Sequence, residues 1–257
     1  MLAILVGGAG TTVAGQELSV EEIVAKTNEM AYYQGKDGRA QVAMTIADAQ
    51  GREQSRQFTI LRRNTGASGG PQSYYVYFTR PADVNKTAFL VWKKPGGEDD
   101  RWLFLPALDL VKRIAASDKR TSFMGSSFFY EDVSGRDLAA DTHELEKTTD
   151  TYYVLKNTPK DAHSVEFAFF RMWVHKSSFL PVKAEYYDSG GEAYRQYEAL
   201  KVEGVQGYQT VTQARMKDLR TGVSTLLRYA KVAYDIGLGE DVFTERYLRN
   251  PPAELLR

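Results

Sequence analysis

Cysteine is absent from the 257 residues, which excludes disulfides, thiolate metal sites, cysteine nucleophiles and lipid attachment through a cysteine. An excess of charge of either sign is missing too. Lys and Arg number 33 and Asp and Glu number 33, so no net field draws the chain to nucleic acid or to an anionic membrane. Beyond the first residues no stretch is apolar enough for a transmembrane helix. Histidine is scarce, and His143, His163 and His175 stand in neither H-x-x-x-H nor H-E-x-x-H spacing. Surface and capping roles account for them better than metal or acid–base work. What remains is ordinary: 43% hydrophobic and 26% charged residues, in a chain long enough to bury a core.

The chain opens on an apolar run, Met1 to Val6, followed by small residues up to Gly15 and a polar chain from Gln16. The run is too short to span a bilayer but suits the apolar region of a signal peptide, with cleavage near Ala14. No Lys or Arg precedes it, which a start further upstream would explain. Two rival readings are a buried first strand and a dinucleotide loop, since Gly7, Gly8 and Gly10 follow the run. Val13 stands where the last glycine of that loop belongs, and no lysine supplies a phosphate loop. Residues 1–15 therefore read as a signal peptide, truncated at its start if the upstream explanation holds, and 16–257 as a single β domain.

Ser19 with Glu22 forms a capping box, and Val20, Ile23, Val24, Thr27, Met30 and Ala31 recur at helical spacing, so a helix is expected over 19–33. From about Gly38 the pattern changes to strands. Candidates are 42–47, 57–62, 73–79, 87–93, 101–105, 151–156, 165–175, 181–187, 194–202, 208–217 and 224–234. Turn residues such as Gly96-Gly97, Gly190-Gly191, Gly204, Gly207 and Gly222 separate them. Strands without interposed helical patterns predict a meander or barrel rather than β-α-β units.

Several of these strands are apolar on both faces, among them Tyr74 to Phe78, Thr87 to Trp92, Trp102 to Leu105 and Phe167 to Val174, the last interrupted only by Arg171. A one-layer antiparallel sheet alternates apolar and polar residues, so these strands must be covered on both faces. With one long helix on offer, a second sheet, helices or a curved sheet with a ligand on its concave side must supply the second cover.

Catalytic signals are weak. Asp188-Ser189-Gly190-Gly191 is similar to the nucleophile loop of trypsin-like proteases but lacks its flanking Gly and Pro. A hairpin turn explains it fully. Glu98, Asp99 and Asp100 do not match calcium-loop spacing and read as a solvated turn.

The most distinctive region runs from Phe78 to Asp132. It holds Phe78-Thr79-Arg80-Pro81-Ala82-Asp83, Thr87-Ala88-Phe89-Leu90, Arg101-Trp102-Leu103-Phe104-Leu105-Pro106-Ala107, Val111-Lys112-Arg113-Ile114 and Ser122 to Asp132. With Asp241 to Leu248 near the end, this series resembles the outer-membrane lipoprotein-sorting family, the LolA-like group associated with resistance-nodulation-division exporters. Ser127 departs from the pattern, since many relatives carry Asp there. The resemblance implies a mainly β (α+β) fold: a half-open antiparallel β-barrel with an N-terminal helix and a helix-and-loop lid over an apolar cavity.

The function expected is a non-enzymatic periplasmic carrier, exported and soluble and not itself lipidated, that shields acyl chains and needs neither cofactor nor metal. Its partners would be a lipid or a lipid-modified protein, with an inner-membrane exporter and an outer-membrane acceptor at either end. No nucleic acid is expected, and the carrier would be a monomer. The alternative is an accessory subunit of an exporter or envelope complex whose cavity its own side chains fill. Candidate cavity or lid residues are Phe89, Trp92, Trp102, Phe104, Phe123, Met124, Phe128 and Tyr130. For the 123–129 stretch, plain core packing competes with a flexible lid hinged at Gly125. Lys112 and Arg113 read either as headgroup ligands or as a solvated pair on an edge strand.

Overall fold

The computed structural model describes residues 18–256, so the expected leader at 1–15 lies outside the described residues. The first helix, α1 (Val20–Asn28), starts where the capping box places it. The Glu22 N–H donates to Ser19 Oγ at 3.2 Å and the Ser19 N–H donates to Glu22 Oε2 at 2.8 Å. It widens into a π-helical turn over Glu29–Tyr33. The carbonyls left open there are taken by side chains from the sheet: Arg62 and Gln72 donate to Tyr32 O, and Asn64 donates to Tyr33 O. Ile23 and Val24 bury the inner face of α1 against Leu155 and Val174.

Thirteen strands follow: β1 (Asp37–Ala47), β2 (Glu53–Asn64), β3 (Gln72–Arg80), β4 (Ala88–Lys93), β5 (Asp100–Leu105), β6 (Leu110–Arg113), β7 (Asp141–Thr148), β8 (Tyr152–Pro159), β9 (Phe169–His175), β10 (Pro181–Tyr187), β11 (Ala193–Val205), β12 (Tyr208–Asp218) and β13 (Ser224–Tyr234). They form one antiparallel sheet in the order β6-β5-β4-β3-β2-β1-β13-β12-β11-β10-β9-β8-β7. Two meanders thus meet where β1 pairs with β13, with Val42 opposite Tyr229. The outer strands β6 and β7 remain unpaired with each other, so the expected half-open barrel is what forms.

Those two outer strands are the ones the hydrophobic pattern omits. In β7, Asp-Thr-His-Glu-Leu-Glu-Lys-Thr is almost wholly exposed, and β6 is exposed at three of its four positions. Edge strands carry charge to block further pairing, and that charge hides their alternation. The strand expected over 165–175 begins only at Phe169. Before it, Phe167 turns inward against Phe170 and Tyr194.

The doubly apolar strands receive both covers they require. On one side Phe89 and Val91 of β4 join Phe58, Phe78, Leu103, Phe123 and Tyr130. On the other, Ala88 and Leu90 join Tyr75, Trp102 and Phe104 under the C-terminal residues 238–256, which include the short helix α3 (Arg246–Arg249). Polar atoms pin that segment: Trp92 Nε1 donates to Phe243 O, and the Tyr75 hydroxyl donates to Tyr247 O, both at 2.7 Å. Its entry is set by the buried Asp37 carboxylate, which accepts the main-chain N–H groups of Ile236, Gly237 and Leu238.

Candidate functional site

On the concave side of the sheet lies a cavity of about 420 Å³, covered by α1 and by residues 114–140. The covering segment carries helix α2 (Tyr130–Ser134). Small side chains help to create the space. Ala40, Ala184 and Ala214 stand on the wall where larger residues would meet the cover. Met44, Met172 and Met216 supply adaptable apolar surface beside Tyr186, Tyr197 and Tyr229.

Phe123 and Phe128 of the covering segment line this cavity. Phe123 belongs equally to the core: its ring lies 5.5–5.8 Å from those of Phe78, Phe89 and Tyr130. Phe89 and Tyr130 sit behind it, 5.1 Å apart, and do not reach the cavity wall. Met124 packs at the margin of the same cluster, and its carbonyl accepts from Arg56 Nε at 3.1 Å. Trp92, Trp102 and Phe104 lie on the far side of the sheet under the C-terminal segment. The period-two alternation of β4 and β5 places them there, away from the cavity. Lys112 and Arg113 are exposed on edge strand β6, where Arg113 pairs with Asp100. Of the acidic turn, Asp99 pairs with Arg101 and Asp100 also pairs with Lys94. Ser189 sits in the β10–β11 turn, where the Asp188 carboxylate accepts the N–H groups of Gly190 and Glu192.

Much of the wall comes from β8 to β13, which sequence reasoning left unassigned to the site. Apart from β9, which is apolar on both faces save for Arg171, these strands show no apolar run that would single them out. The only available signal was the run of tyrosines at positions 186, 197 and 229, and it had no partner in the sequence to give it meaning.

Charged groups join the cover to the sheet. Arg120 donates to both oxygens of Glu166, at 2.7 and 2.6 Å, and to Glu131 at 2.5 Å. Arg136 donates twice to Asp141 at 2.9 Å. Arg195 of β11 pairs with Asp132 of α2, donates to Ser127 O at 3.1 Å, and stacks 4.0 Å over the Phe129 ring. Burial works against the Arg120 charge, but its hydrogen bond to Glu166 and the charges of Glu131 and Glu166 outweigh it and hold its pKa above the usual value. Ser127, at the position that departs from the family pattern, donates its N–H to Thr225 Oγ1 at 2.8 Å. At Gly135 the cover comes so close that a Cβ would lie 2.6 Å from the Tyr32 ring, and φ is +78°. Only glycine fits both conditions.

Comparisons with known proteins agree with this architecture. A family model described as an uncharacterized protein, of the DUF1329-like family, matches residues 70–250. A DUF1329 family protein from Desulfovibrio piger superposes with a TM-score of 0.80 at 30% identity, covering 88% of this chain and 96% of its own. A domain from Vibrio parahaemolyticus, provisionally described as an outer membrane lipoprotein-sorting protein, gives a TM-score of 0.78 at 29% identity, with 89% and 96% covered. A LolA superfamily protein from Nitrosomonas europaea gives 0.69 at 24% identity, with 90% and 100% covered, a likeness of fold. None of the curated proteins compared matches the sequence. Among the described residues no helix is long and apolar enough to cross a membrane. With one family model matching over most of its length and a relative similar across nearly all of it, this chain belongs to the DUF1329-like family and has the LolA-like fold.

Proposed function

We propose that residues 16–257 act as one domain, an exported periplasmic carrier that shields acyl chains of a lipid or lipid-modified protein and performs no catalysis. The observation that carries this reading is the apolar cavity of about 420 Å³ on the concave face of the sheet. Its size falls within the roughly 300–1,000 Å³ of ordinary ligand sites. Each buried methylene contributes about 0.8 kcal/mol, so one long acyl chain supplies roughly 10 kcal/mol gross without polar chemistry.

The manner of closure supports the same reading. Toward β10 and β11 the cover is held by Arg195–Asp132 and Arg120–Glu166. Ions regain hydration when a cover lifts, which offsets part of the lost attraction, whereas exposed phenylalanines gain nothing from water. A cover tethered by charge on one side and packed on the other is suited to open in one direction. Such a carrier would take its cargo from an inner-membrane exporter and pass it to an outer-membrane acceptor. The resemblance to a lipoprotein-sorting domain points the same way.

The test is to purify the protein from the periplasm without detergent, extract it with organic solvent and identify bound lipid by mass spectrometry. The expected result is close to one equivalent of acyl lipid, on a mature chain beginning between Gly15 and Leu18. Protein that carries no lipid and takes none up from vesicles would overturn the carrier reading.

A further inference from the structure

The cavity wall contains a feature that a container for hydrocarbon does not need. Tyr32 from the π turn after α1, Tyr186 of β10, Tyr197 of β11 and Tyr229 of β13 all line it. Among the described residues, no hydrogen bond is made by any of their four hydroxyls, whereas the Tyr74 hydroxyl on the same wall donates to Gln72. The four oxygens are not among the enclosed unpartnered polar atoms, so each keeps contact with open space. Burial nevertheless pushes all four phenols up in pKa, Tyr229 to about 12. A hydroxyl that is both desolvated and in contact with open space faces the cavity. The four also sense one another: Tyr32 is raised further by Asp132, Tyr186 and Tyr197, and Tyr197 by Tyr229 and Tyr186.

Phenylalanine would make the same wall without a buried hydroxyl to satisfy. Four such groups in one cavity call for oxygen atoms on the occupant. The character of that oxygen follows from the charges nearby. Arg120, Arg136, Glu131, Asp132 and Asp141 on the wall are all engaged in ion pairs. Two cations on the wall have no ion-pair partner among the described residues: Arg62, whose donors are taken by Asn64 and by the carbonyls of Tyr32, Gln34 and Gly35, and Arg39, which has no hydrogen-bond partner. Arg39 stands opposite Ala233, whereas Tyr229 stands opposite Val42. That separates Arg39 from Tyr229 by three residues, about 10 Å along the strand. Two further cations approach the quartet. Arg195, 5.0 Å from the Tyr186 ring, is paired with Asp132, and Lys93, 5.3 Å from the Tyr32 ring, donates to the Ser134 and Gly135 carbonyls. Neither is left to compensate an anionic group there.

We propose that Tyr32, Tyr186, Tyr197 and Tyr229 form a recognition site for the uncharged oxygen-bearing portion of a lipid, an ester or hydroxyl group of the acylglycerol kind, taken into the cavity together with its chain. This inference rests on the carrier reading and specifies its cargo. Hydroxyl donors fix the depth and orientation of the ligand, while the methionine and alanine wall accepts chains of varied shape.

Three probes with the same chain length separate the possibilities: monoolein (uncharged, ester and hydroxyls), oleate (anionic) and 1-octadecene (no oxygen). Each is titrated into delipidated protein and followed by native mass spectrometry. The parent should bind monoolein at least tenfold more tightly than octadecene. In the Tyr186→Phe/Tyr197→Phe/Tyr229→Phe variant, monoolein affinity should fall at least tenfold, since each lost hydrogen bond is worth roughly a threefold to tenfold change. Octadecene binding and Tm should hold, because no protein hydrogen bond is removed. The single variants Tyr197→Phe and Tyr229→Phe, each expected to weaken monoolein about threefold, decide the matter if the triple variant folds poorly. Equal monoolein binding by parent and variant, or oleate binding tighter than monoolein in the parent, overturns the inference and leaves the carrier reading standing. Failure of all three probes to bind the parent overturns both.

Discussion

The stretch β2–β5 and the stretch β10–β13 belong to one sheet and obey the same alternation, yet one is filled and the other hollow. Under β2–β5, Phe58, Phe78 and Phe89 close on Phe123 with ring centroids 5.6–6.3 Å apart. There β4 and β5 contribute nothing to the cavity, and β2 and β3 form only its margin through residues such as Phe58, Ile60, Tyr74 and Val76. Under β10–β13, Ala184 and Ala214 alternate with tyrosines whose rings stand along the wall, and the space between them stays open. The attachment of the cover follows the same division. Over the filled part it is held by aromatic packing and by the buried Lys93 ammonium, over the hollow part mainly by ion pairs, so the region proposed to admit a ligand is also the one whose closure water can more readily undo.

The largest effect expected from breaking this contrast is at the boundary. Phe123→Ala removes a 3% exposed ring from the filled part and should cost about 3–5 kcal/mol in denaturant unfolding. A loss below about 1 kcal/mol would show that the segment is a loose flap and that the filled part is not filled. On the hollow side, Arg195→Met strips Asp132 of its ion partner. Since the Asp132 side chain keeps 18% exposure, the cost should be about 2–3 kcal/mol, less than for a fully enclosed carboxylate. Amide exchange should rise in 120–135 before it rises in β2–β5; uniform exchange would remove the distinction in how the cover is held.

Alkaline pH tests the attachment over the filled part. Lys93 is 5% exposed, and its ammonium donates to Ser134 O at 2.5 Å and Gly135 O at 3.2 Å, joining β4 to the cover. Burial pulls its pKa down to about 8, with Asp99 and Asp137 opposing. Between pH 8 and the ordinary lysine value the unfolded chain binds the proton that the folded chain has lost, so stability should rise with pH by at most a few kcal/mol. Above about pH 10 the buried tyrosines, whose pKa values are raised, reverse the trend, because the unfolded phenols ionise first. Unfolding midpoints from pH 7 to 11 should therefore pass through a maximum, and Lys93→Met should flatten its rising limb. A parent profile with no rise above pH 8 would contradict the assigned Lys93 environment.

Filling the hollow part should cost less than emptying the filled one. Ala214→Leu places three carbons into the cavity, with a stability change under about 1.5 kcal/mol, while lipid occupancy falls at least tenfold. A large destabilisation would mean that the wall has no room. Smallest of all should be Ser189→Ala, outside both regions in the β10–β11 turn, with under about 0.5 kcal/mol lost and lipid binding intact. Loss of an esterase activity in that variant would point to catalysis instead of carriage.

Local features carried their own signals in the sequence. The Ser19–Glu22 box begins α1 because side chain and main chain three residues apart satisfy each other without help from the rest of the molecule. The doubly apolar runs of β3, β4 and β5 announced two covers, because an uncovered apolar face cannot persist in water. Phe123 and Phe128 drew notice by standing apolar in a loop, and they do reach the cavity. Trp92, Trp102 and Phe104 drew the same notice and face away, because one residue of phase in a strand decides the face and composition does not show it. The resemblance implied an apolar cavity, but which residues of the sheet line it was invisible in the sequence. The cavity exists because Ala40, Ala184 and Ala214, far apart in the chain, arrive on one concave face, and because β1 joins β13 to bring the two meanders under a single cover. Whether a tyrosine packs, bonds or waits for a ligand depends on what lies across the space in front of it. For Tyr32, Tyr186, Tyr197 and Tyr229 only the tertiary structure decided that.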